Sequence, residues 1–253
     1  MPAERITGRV LGARIDALGW QQTIEQLLAW ARVHESRYVA ICNVHVVVTA
    51  SRDAEYGKVI NGADMATADG APVAWLLRRL GFKSQERING PDLMRKLCER
   101  AATEGMGVYC YGSTPETLDL LRGRLEAEFP GLRVVTESPP FRALTALEDA
   151  ATIARIDTSG AGLIFVGLGC PKQERWMAEH RGRVNGVMIG VGAAFDYHAG
   201  TVKRAPHWMQ HAGLEWLYRL GAEPRRLWRR YLVTNTLFVL GAARQLFFSG
   251  KSS

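Results

Sequence analysis

A glycine turn between an apolar run and a charged helix start is the stretch best suited to chemistry. Leu163–Val166 is a short apolar run, which predicts a strand buried on both faces. Gly167 and Gly169 then allow a tight turn beside a ligand. Pro171 is typical of the first turn of a helix, which Lys172–Arg175 would continue. Free N–H groups and the helix dipole favour phosphate there, so the stretch predicts an anion site, although an ordinary strand-to-helix turn has the same spacing.

Two well-known phosphate-binding loops do not fit this stretch. A dinucleotide fingerprint would need a third glycine where Lys172 stands, and a Walker loop would need Gly-Lys-Ser/Thr here. Neither is present in the sequence. A nucleotide-dependent oxidoreductase is therefore disfavoured as a class.

Composition and cysteine spacing indicate a globular cytosolic protein. At 253 residues and 47% apolar, the chain can form one large α/β domain, or one domain with an appendage. Residues 1–9 lack the apolar core of a signal peptide. Cys42, Cys98, Cys110 and Cys170 lie far apart without a Cys-x-x-Cys pair, which argues against zinc and against a disulfide scaffold. Buried, reduced thiols in the cytosol are expected.

The positive charge is concentrated at one end of the chain. Residues 201–253 contain nine Lys/Arg and two Asp/Glu, whereas residues 1–200 contain 23 of each sign. The whole surplus of +7 therefore lies in the last fifth. This asymmetry indicates a surface for a polyanion, a phosphate group or an acidic membrane, although a solvated helix face has the same pattern.

Strand-like and helix-like stretches alternate along the first 200 residues. The predicted strands are Arg9–Ile15 (alone or as a hairpin), Tyr38–Asn43, Asp64–Thr67, Gly107–Tyr111, Leu132–Thr136, Leu163–Val166 and Gly186–Val191. The predicted helices are Trp20–Val33, Ala71–Leu80, Pro91–Glu104, one from Pro115, Leu144–Asp157 with a Thr145/Glu148 capping box, and one from Pro171, with further helical material from about Val44 to Asn61. The pattern predicts an α/β fold with a mainly parallel, Rossmann-like sheet flanked by helices.

Ligands of such sheets bind beyond the carboxyl ends of the strands. Residues at those ends are expected at one edge; they are Asn43, Asp69, Gly112, Ser113, Gly167–Gly169 and Gly190–Gly192.

The last fifth of the chain predicts a basic helical appendage. Trp208–Leu220 is predicted as one helix, and Glu223-Pro224 begins another that carries four arginines on one broad face. The mostly apolar stretch Tyr231–Phe248 is too short and too polar for a confident membrane span. A helix lying on a membrane surface and a core-facing helix both fit it. Arginines with tryptophans also suit single-stranded nucleic acid, but the bordering apolar run favours lipid.

Several motifs occur together in a fixed order between about Asn43 and Arg230. They are Thr67-Ala-Asp69-Gly70, Glu86-Arg87-Ile-Asn-Gly90-Pro-Asp92-Leu93, Gly167-Leu-Gly169-Cys-Pro171-Lys-Gln173-Glu174, Gly190-Val-Gly192 with Asp196 and Gly200, Lys203-Arg204-Ala-Pro206, and Gly213-Leu-Glu215-Trp216-Leu-Tyr218-Arg219-Leu. This set closely resembles the WecG/TagA/CpsF family of glycosyltransferases, also called glycosyltransferase family 26.

The resemblance implies inverting transfer of a sugar from a UDP-sugar to a sugar on undecaprenyl diphosphate. The implied setting is the inner face of the bacterial cytoplasmic membrane, during synthesis of a cell-surface polysaccharide. The resemblance further implies a catalytic domain at residues 1–200 and a membrane-associating appendage at 201–253 that completes the site. No metal cofactor is expected, and the sequence has no Asp-x-Asp motif. The donor sugar, the acceptor sugar and any homo-oligomer stay open.

The resemblance assigns three residues to catalysis. Asp69 matches the general base that must deprotonate an acceptor hydroxyl, although a helix cap is its alternative role. Arg87 matches a contact to diphosphate or substrate, and its alternative is a surface ion pair with Glu86 or Asp92. Gln173 matches an active-site amide, and its alternative is a solvent-facing helix position.

Two further groups of residues are expected to bind substrates. The nucleotide-binding set is Asn43, Gly112, Ser113, Gly167, Gly169, Lys172, Gly190 and Gly192. The set for the acceptor's diphosphate is Arg219, Arg226 and Arg229, of which Arg219 has Glu215 as an alternative i,i+4 partner. His45 stands where family members often have an acidic residue, which leaves the donor sugar in doubt.

Overall fold

The computed structural model describes residues 5–249 and contains a six-stranded sheet. Its strand order is β4-β3-β8-β7-β5-β6. The pairs β3/β8, β8/β7, β7/β5 and β5/β6 are parallel, so the prediction of a mainly parallel α/β sheet flanked by helices is confirmed. The strands are β3 (Arg37–Cys42), β4 (Met65–Ala68), β5 (Gly107–Gly112), β6 (Val134–Glu137), β7 (Ala161–Gly167) and β8 (Val187–Gly190); β1 (Thr7–Val10) and β2 (Ala13–Asp16) form a separate antiparallel hairpin.

Twelve helices lie within the described residues. They are α1 (Trp20–Arg32), α2 (Val44–Arg52), α3 (Ala54–Gly62), α4 (Ala71–Arg79), α5 (Gly90–Thr103), α6 (Pro115–Glu128), α7 (Ala146–Ser159), α8 (Lys172–His180), α9 (Ala194–Ala199), α10 (His207–His211), α11 (Glu215–Ala222) and α12 (Pro224–Ser249). The capping box at Thr145 and Glu148 opens α7 as the sequence predicts. Within residues 5–249, no helix is both long enough and apolar enough to cross a membrane.

The described residues divide into two compact units. The first unit contains residues 5–19, 41–89 and 203–249, and the second contains 20–40 and 90–202. The sequence predicts a division at residue 200 between a catalytic part and a membrane-associating part. That functional division stays a prediction. The compact units follow a different division, in which residues 203–249 cluster with earlier parts of the chain. Residues 250–253 of the predicted appendage lie outside the described residues.

The long helix α12 packs one of its faces inside the first unit. Leu227, Phe238 and Ala242 on this helix are buried. Gln245 fastens the helix to the β1–β2 hairpin, because its Nε2 donates to the Arg9 carbonyl at 2.6 Å and its Oε1 accepts from the Leu11 N–H at 3.0 Å. The core-facing interpretation of this segment therefore holds for one side of the helix.

The prediction of one helix over Trp208–Leu220 is wrong. Gly213 has φ +73 and ends α10, since its N–H donates to the Gln210 carbonyl and the Leu214 N–H donates to the Met209 carbonyl. This pair of bonds is the Schellman arrangement that glycine favours after a helix end. Apolar residues continue at helical spacing across the break, so the pattern alone conceals it. The six-residue helix α9 was also not anticipated, because it is too short to show a period.

Candidate active site

Asp69 lies in the first unit, directly after β4. Its N–H donates to the Cys42 carbonyl at the end of β3, at 3.0 Å. The N-cap position of α4 is Gly70, which has φ +85 and no side-chain cap bond. Asp69 therefore precedes the cap position, and the helix-cap alternative is not what the structure shows. Its side chain is 18% exposed, while Oδ1 is buried without a hydrogen-bond partner.

Arg87 lies between two carboxylates. Its Nη2 donates to Glu215 Oε2 at 2.6 Å, and its Nη1 donates to the Gln210 carbonyl at 3.2 Å. The distance from Arg87 Nε to Asp69 Oδ1 is 3.5 Å, which is an ion-pair distance without a hydrogen bond. With its side chain only 23% exposed, Arg87 is not the plain surface ion-pair residue of the alternative interpretation.

Electrostatics favour a basic carboxylate beside a permanent cation. Burial raises the pKa of Asp69, Arg87 opposes that rise, and the negative charge of Glu215 adds to it, so that the net shift is upward. Burial tends to lower the pKa of Arg87, but Asp69 and Glu215 raise it overall. Such a pair is suited to accepting a proton while a positive charge stays close to an anionic substrate.

Sequence reasoning did not find the role of Glu215 in this cluster. Its side chain is 14% exposed, and its Oε1 lies 3.7 Å from Arg204 Nε. Arg204 Nη2 also donates to Asn89 Oδ1 at 3.1 Å. The only signal was the position of Glu215 in a motif, where it was considered as a partner of Arg219. We call Asp69, Arg87 and Glu215 the carboxylate–arginine cluster.

Gln173 is buried in the second unit and supports two glycine turns. It is 5% exposed, so the solvent-facing alternative is wrong. Its Oε1 accepts from the Gly169 N–H at 3.2 Å, and its Nε2 donates to Glu174 Oε1 at 2.8 Å. A Cβ at Gly190 would lie 2.9 Å from Gln173 Nε2. The amide thus fills the space that Gly190 leaves open at the end of β8.

The predicted glycines of the second unit meet at the ends of neighbouring strands. Gly112 and Gly167 are opposite each other in the β5/β7 register. At Gly112, φ is +124 and an added Cβ would lie 2.6 Å from the Gly167 carbonyl oxygen, so only glycine fits there. The N–H groups of Val191 and Gly192 both donate to the Val166 carbonyl, which holds the turn after β8 against the end of β7.

A cavity of about 730 Å³ opens beside these strand ends within the second unit. Three residues of the predicted nucleotide-binding set line it, namely Ser113, Gly167 and Lys172. Ser113 has φ +61, an uncommon backbone conformation for a residue with a side chain, which marks it as a candidate functional position. Asn43 belongs to the first unit, where its Oδ1 accepts from the Val46 N–H and caps α2; its role in nucleotide binding stays a prediction.

Aromatic residues that sequence reasoning missed form one wall of this cavity. The Tyr111 and Trp176 rings stack at 4.6 Å, and the Trp176 and His180 rings stack at 4.0 Å. His180 Nε2 lies 2.8 Å from Asp149 Oδ1, and Arg183 Nη2 donates to Asp149 Oδ2 at 2.6 Å. These contacts fix the orientation of the ring column. Tyr111 lies on β5, Asp149 on α7, and Trp176 and His180 on α8, so no local pattern could have grouped all four.

The predicted diphosphate-binding arginines lie on the last two helices of the first unit. Arg219 is on α11, whereas Arg226 and Arg229 are on α12. Arg226 forms an exposed ion pair with Glu223 at 2.5 Å, with which a diphosphate would have to compete. The role of these arginines stays a prediction.

His45 lies on α2 with a partly buried ring. Burial, with a smaller contribution from Arg230, lowers the pKa of His45 to about 4. The imidazole is therefore neutral near pH 7. Its effect on the choice of donor sugar stays a prediction.

The sheet topology defines an α/β protein with a parallel sheet, a class in which ligands commonly bind beyond the carboxyl ends of the strands. The sequence matches the model of the glycosyl transferase WecG/TagA/CpsF family over residues 8–252. Because this match covers nearly the whole chain, the protein belongs to the WecG/TagA/CpsF family. Membership implies glycosyltransferase activity in cell-surface polysaccharide synthesis, in general with a sugar-nucleotide donor and a lipid-linked sugar acceptor.

Replacing Gln173 by Met tests its supporting role. We expect the free energy of unfolding to fall by about 1–3 kcal/mol, because the partly buried N–H of Gly169 loses its acceptor while side-chain volume is nearly retained. Urea unfolding followed by circular dichroism measures this change. The control Glu179→Gln, an exposed position on the same helix, should stay within about 0.5 kcal/mol of wild type. Equal stability of both variants would contradict the supporting role.

Proposed function

We propose that the protein is an inverting hexosyltransferase that uses a UDP-sugar donor, of the UDP-N-acetylmannosamine type or UDP-glucose. Its acceptor is a sugar on undecaprenyl diphosphate, in bacterial exopolysaccharide or other cell-surface polysaccharide synthesis. The observation that carries the proposal is the half-buried carboxylate of Asp69 beside the Arg87 guanidinium in a member of this family.

Asp69 acts as the general base in this proposal. Its carboxylate takes the proton of an acceptor hydroxyl while that oxygen bonds to the anomeric carbon of the donor. The bond from the anomeric carbon to the UDP oxygen breaks, and UDP leaves with the electron pair. Attack from the face opposite the leaving group inverts the anomeric configuration. Arg87 supplies fixed positive charge for an anionic part of the substrates.

The cavity of the second unit is the proposed donor site. Its volume falls within the range of about 300–1,000 Å³ that is common for small-molecule sites. Lys172 and Arg175 on its wall offer positive charge for a diphosphate, and Ser113 offers a hydroxyl group. The aromatic wall around Trp176 offers apolar surface for the remainder of the donor. These cationic groups support the proposal that no metal cofactor is required.

The exposed face of α12 supports the proposal of peripheral association with the inner face of the cytoplasmic membrane. Leu232, Val239 and Leu240 are 62%, 65% and 63% exposed. At 100° per residue they share one side of the helix, roughly opposite the buried Leu227 and Phe238. The predicted diphosphate-binding arginines precede this apolar side along the chain. An apolar face next to basic residues is typical of helices that lie on an anionic membrane.

Release of UDP tests the proposed reaction directly. A panel of UDP-sugars is incubated with the protein, with or without a synthetic lipid-diphosphate-sugar acceptor, and we expect acceptor-dependent release with one donor. Asp69→Asn should lower this turnover by about two orders of magnitude or more, because the attacking hydroxyl loses its base. Glu55→Gln, at an exposed position on α3, is the matched control and should keep wild-type turnover. Near-normal turnover of folded Asp69→Asn would contradict the assignment of the base.

Removal of divalent metal tests the proposed metal independence. We expect excess EDTA to leave acceptor-dependent UDP release unchanged, because arginine and lysine side chains balance the diphosphate charge. Loss of activity in EDTA that returns with added Mg²⁺ or Mn²⁺ would refute metal independence without refuting the transfer reaction.

Binding to lipid vesicles tests the proposed role of α12. We expect replacement of Leu232, Val239 and Leu240 by Gln to weaken binding to anionic vesicles by about tenfold or more, because less apolar surface enters the interface. Cosedimentation measures the change. The control replaces Leu120 and Leu147, exposed apolar residues of the second unit, and should bind as wild type. Equal vesicle binding by both variants would contradict the role of the exposed side of α12. Salt-sensitive oligonucleotide binding in place of vesicle binding would favour a nucleic-acid-binding module instead.

A further inference from the structure

Glu215 contributes to the carboxylate–arginine cluster from a part of the chain far from Asp69 and Arg87 in sequence. It begins α11 and is separated from Arg87 by 128 positions. The contact between Arg87 Nη2 and Glu215 Oε2, at 2.6 Å, is a charge-assisted hydrogen bond. The Gln210 carbonyl, from the same C-terminal part of the first unit, accepts a second bond from Arg87.

The contacts of Arg87 with Glu215 and with the Gln210 carbonyl hold its guanidinium at a distance from Asp69. Arg87 Nε remains 3.5 Å from Asp69 Oδ1, and neither atom has a hydrogen-bond partner within the described part of the chain. An arginine beside a carboxylate ordinarily forms two parallel N–H···O bonds at about 2.7–2.9 Å. Arg87 forms a bond of that kind with Glu215 instead, so the Asp69 carboxylate, whose Oδ1 is buried and whose side chain is 18% exposed, is not held in such a pair.

We propose that Glu215 is a positioning residue, which draws Arg87 away from Asp69 so that a carboxylate oxygen stays available to the acceptor hydroxyl. This inference rests on the proposed function, in which Asp69 is the general base. Without Glu215, the Arg87 side chain is free to turn toward Asp69 and to pair with it through two hydrogen bonds. Such a pair would occupy the oxygen that must receive the proton.

The charge of Glu215, like its contact with Arg87, favours Asp69 as a proton acceptor. The charged groups that act on Asp69 are Arg87 and Glu215, and Arg204 is the further cation next to Glu215. Arg87 lowers the pKa of Asp69 and Glu215 raises it. Loss of the Glu215 charge therefore lowers the pKa of Asp69 and makes it a weaker base. A general base is active when deprotonated, so the acidic limb of the rate profile should move to lower pH.

The test measures kcat/KM against pH for wild type, Glu215→Gln and Glu215→Asp. We expect Glu215→Gln to shift the acidic limb to lower pH and to lower the plateau kcat. Glu215→Asp retains the charge and should bring the limb back toward wild type. Glu55→Gln removes an exposed charge of the same unit and should not move the limb.

A second measurement does not depend on turnover. In protein labelled with ¹³C at the aspartate carboxyl carbon, the Asp69 signal is assigned by its loss in Asp69→Asn. Its titration should move to lower pH in Glu215→Gln and stay near wild type in Glu215→Asp. If Glu215→Gln changes neither the titration of Asp69 nor the acidic limb of kcat/KM, Glu215 has no positioning role. An inactive Asp69→Asn would still support the assignment of Asp69 as the general base.

The outcomes separate the two proposals. If Asp69→Asn keeps its activity, Asp69 is not the general base. The titration of the Asp69 carboxyl group in Glu215→Gln would still report whether Glu215 acts on Asp69. Glu215→Ala, with the same loss of charge and a smaller side chain, serves if Glu215→Gln does not fold. Failure of both neutral variants to fold would show that Glu215 is structural rather than positioning.

Discussion

The sharing of one guanidinium between two carboxylates is the constraint on which the first unit depends. An arginine withdrawn from water must be paired, because an uncompensated buried charge costs several kcal/mol. Arg87 meets this requirement through Glu215 and the Gln210 carbonyl as well as through Asp69. The three contacts join segments that are far apart in sequence. They also leave Asp69 Oδ1 at 3.5 Å from Arg87 Nε without a hydrogen bond, unlike an ordinary ion-paired carboxylate.

In the second unit, backbone geometry organises the candidate site, whereas charged side chains organise it in the first unit. Strands β5, β7 and β8 end in glycines: the backbones of Gly112 and Gly167 approach closely, and side chains pack against Gly167 and Gly190 where a Cβ would stand. Backbone N–H and carbonyl groups in such a place need partners, and Gln173 provides one for Gly169. The amide therefore acts first as a support for the turn. Any contact of Gln173 with substrate depends on that support.

The elements that follow from the sequence are those with a long or sharply bounded pattern. The buried strand β7 and the capping box of α7 are examples, since an apolar run and a local bond each leave a signal in a few neighbouring residues. The solvent-facing alternative for Gln173 arose because a run of polar and charged residues at a helix start looks exposed, whereas the side chain is buried. The contact of Glu215 with Arg87 was missed for the opposite reason. A plausible local partner, Arg219, stands four residues away, while the actual partner is 128 positions distant.

The same contacts change how the C-terminal part of the chain should be studied. Residues after position 200 have two separable contributions within the first unit. The exposed side of α12 is free to meet a membrane, whereas Leu227, Phe238 and Glu215 belong to the packing and to the carboxylate–arginine cluster. Deleting everything after residue 200 would strip Arg87 of Glu215 and Gln210 and would expose an apolar surface that is now covered. Loss of activity in such a truncation would therefore not demonstrate membrane association. Only substitutions confined to the exposed side of α12 separate attachment to a membrane from integrity of the site.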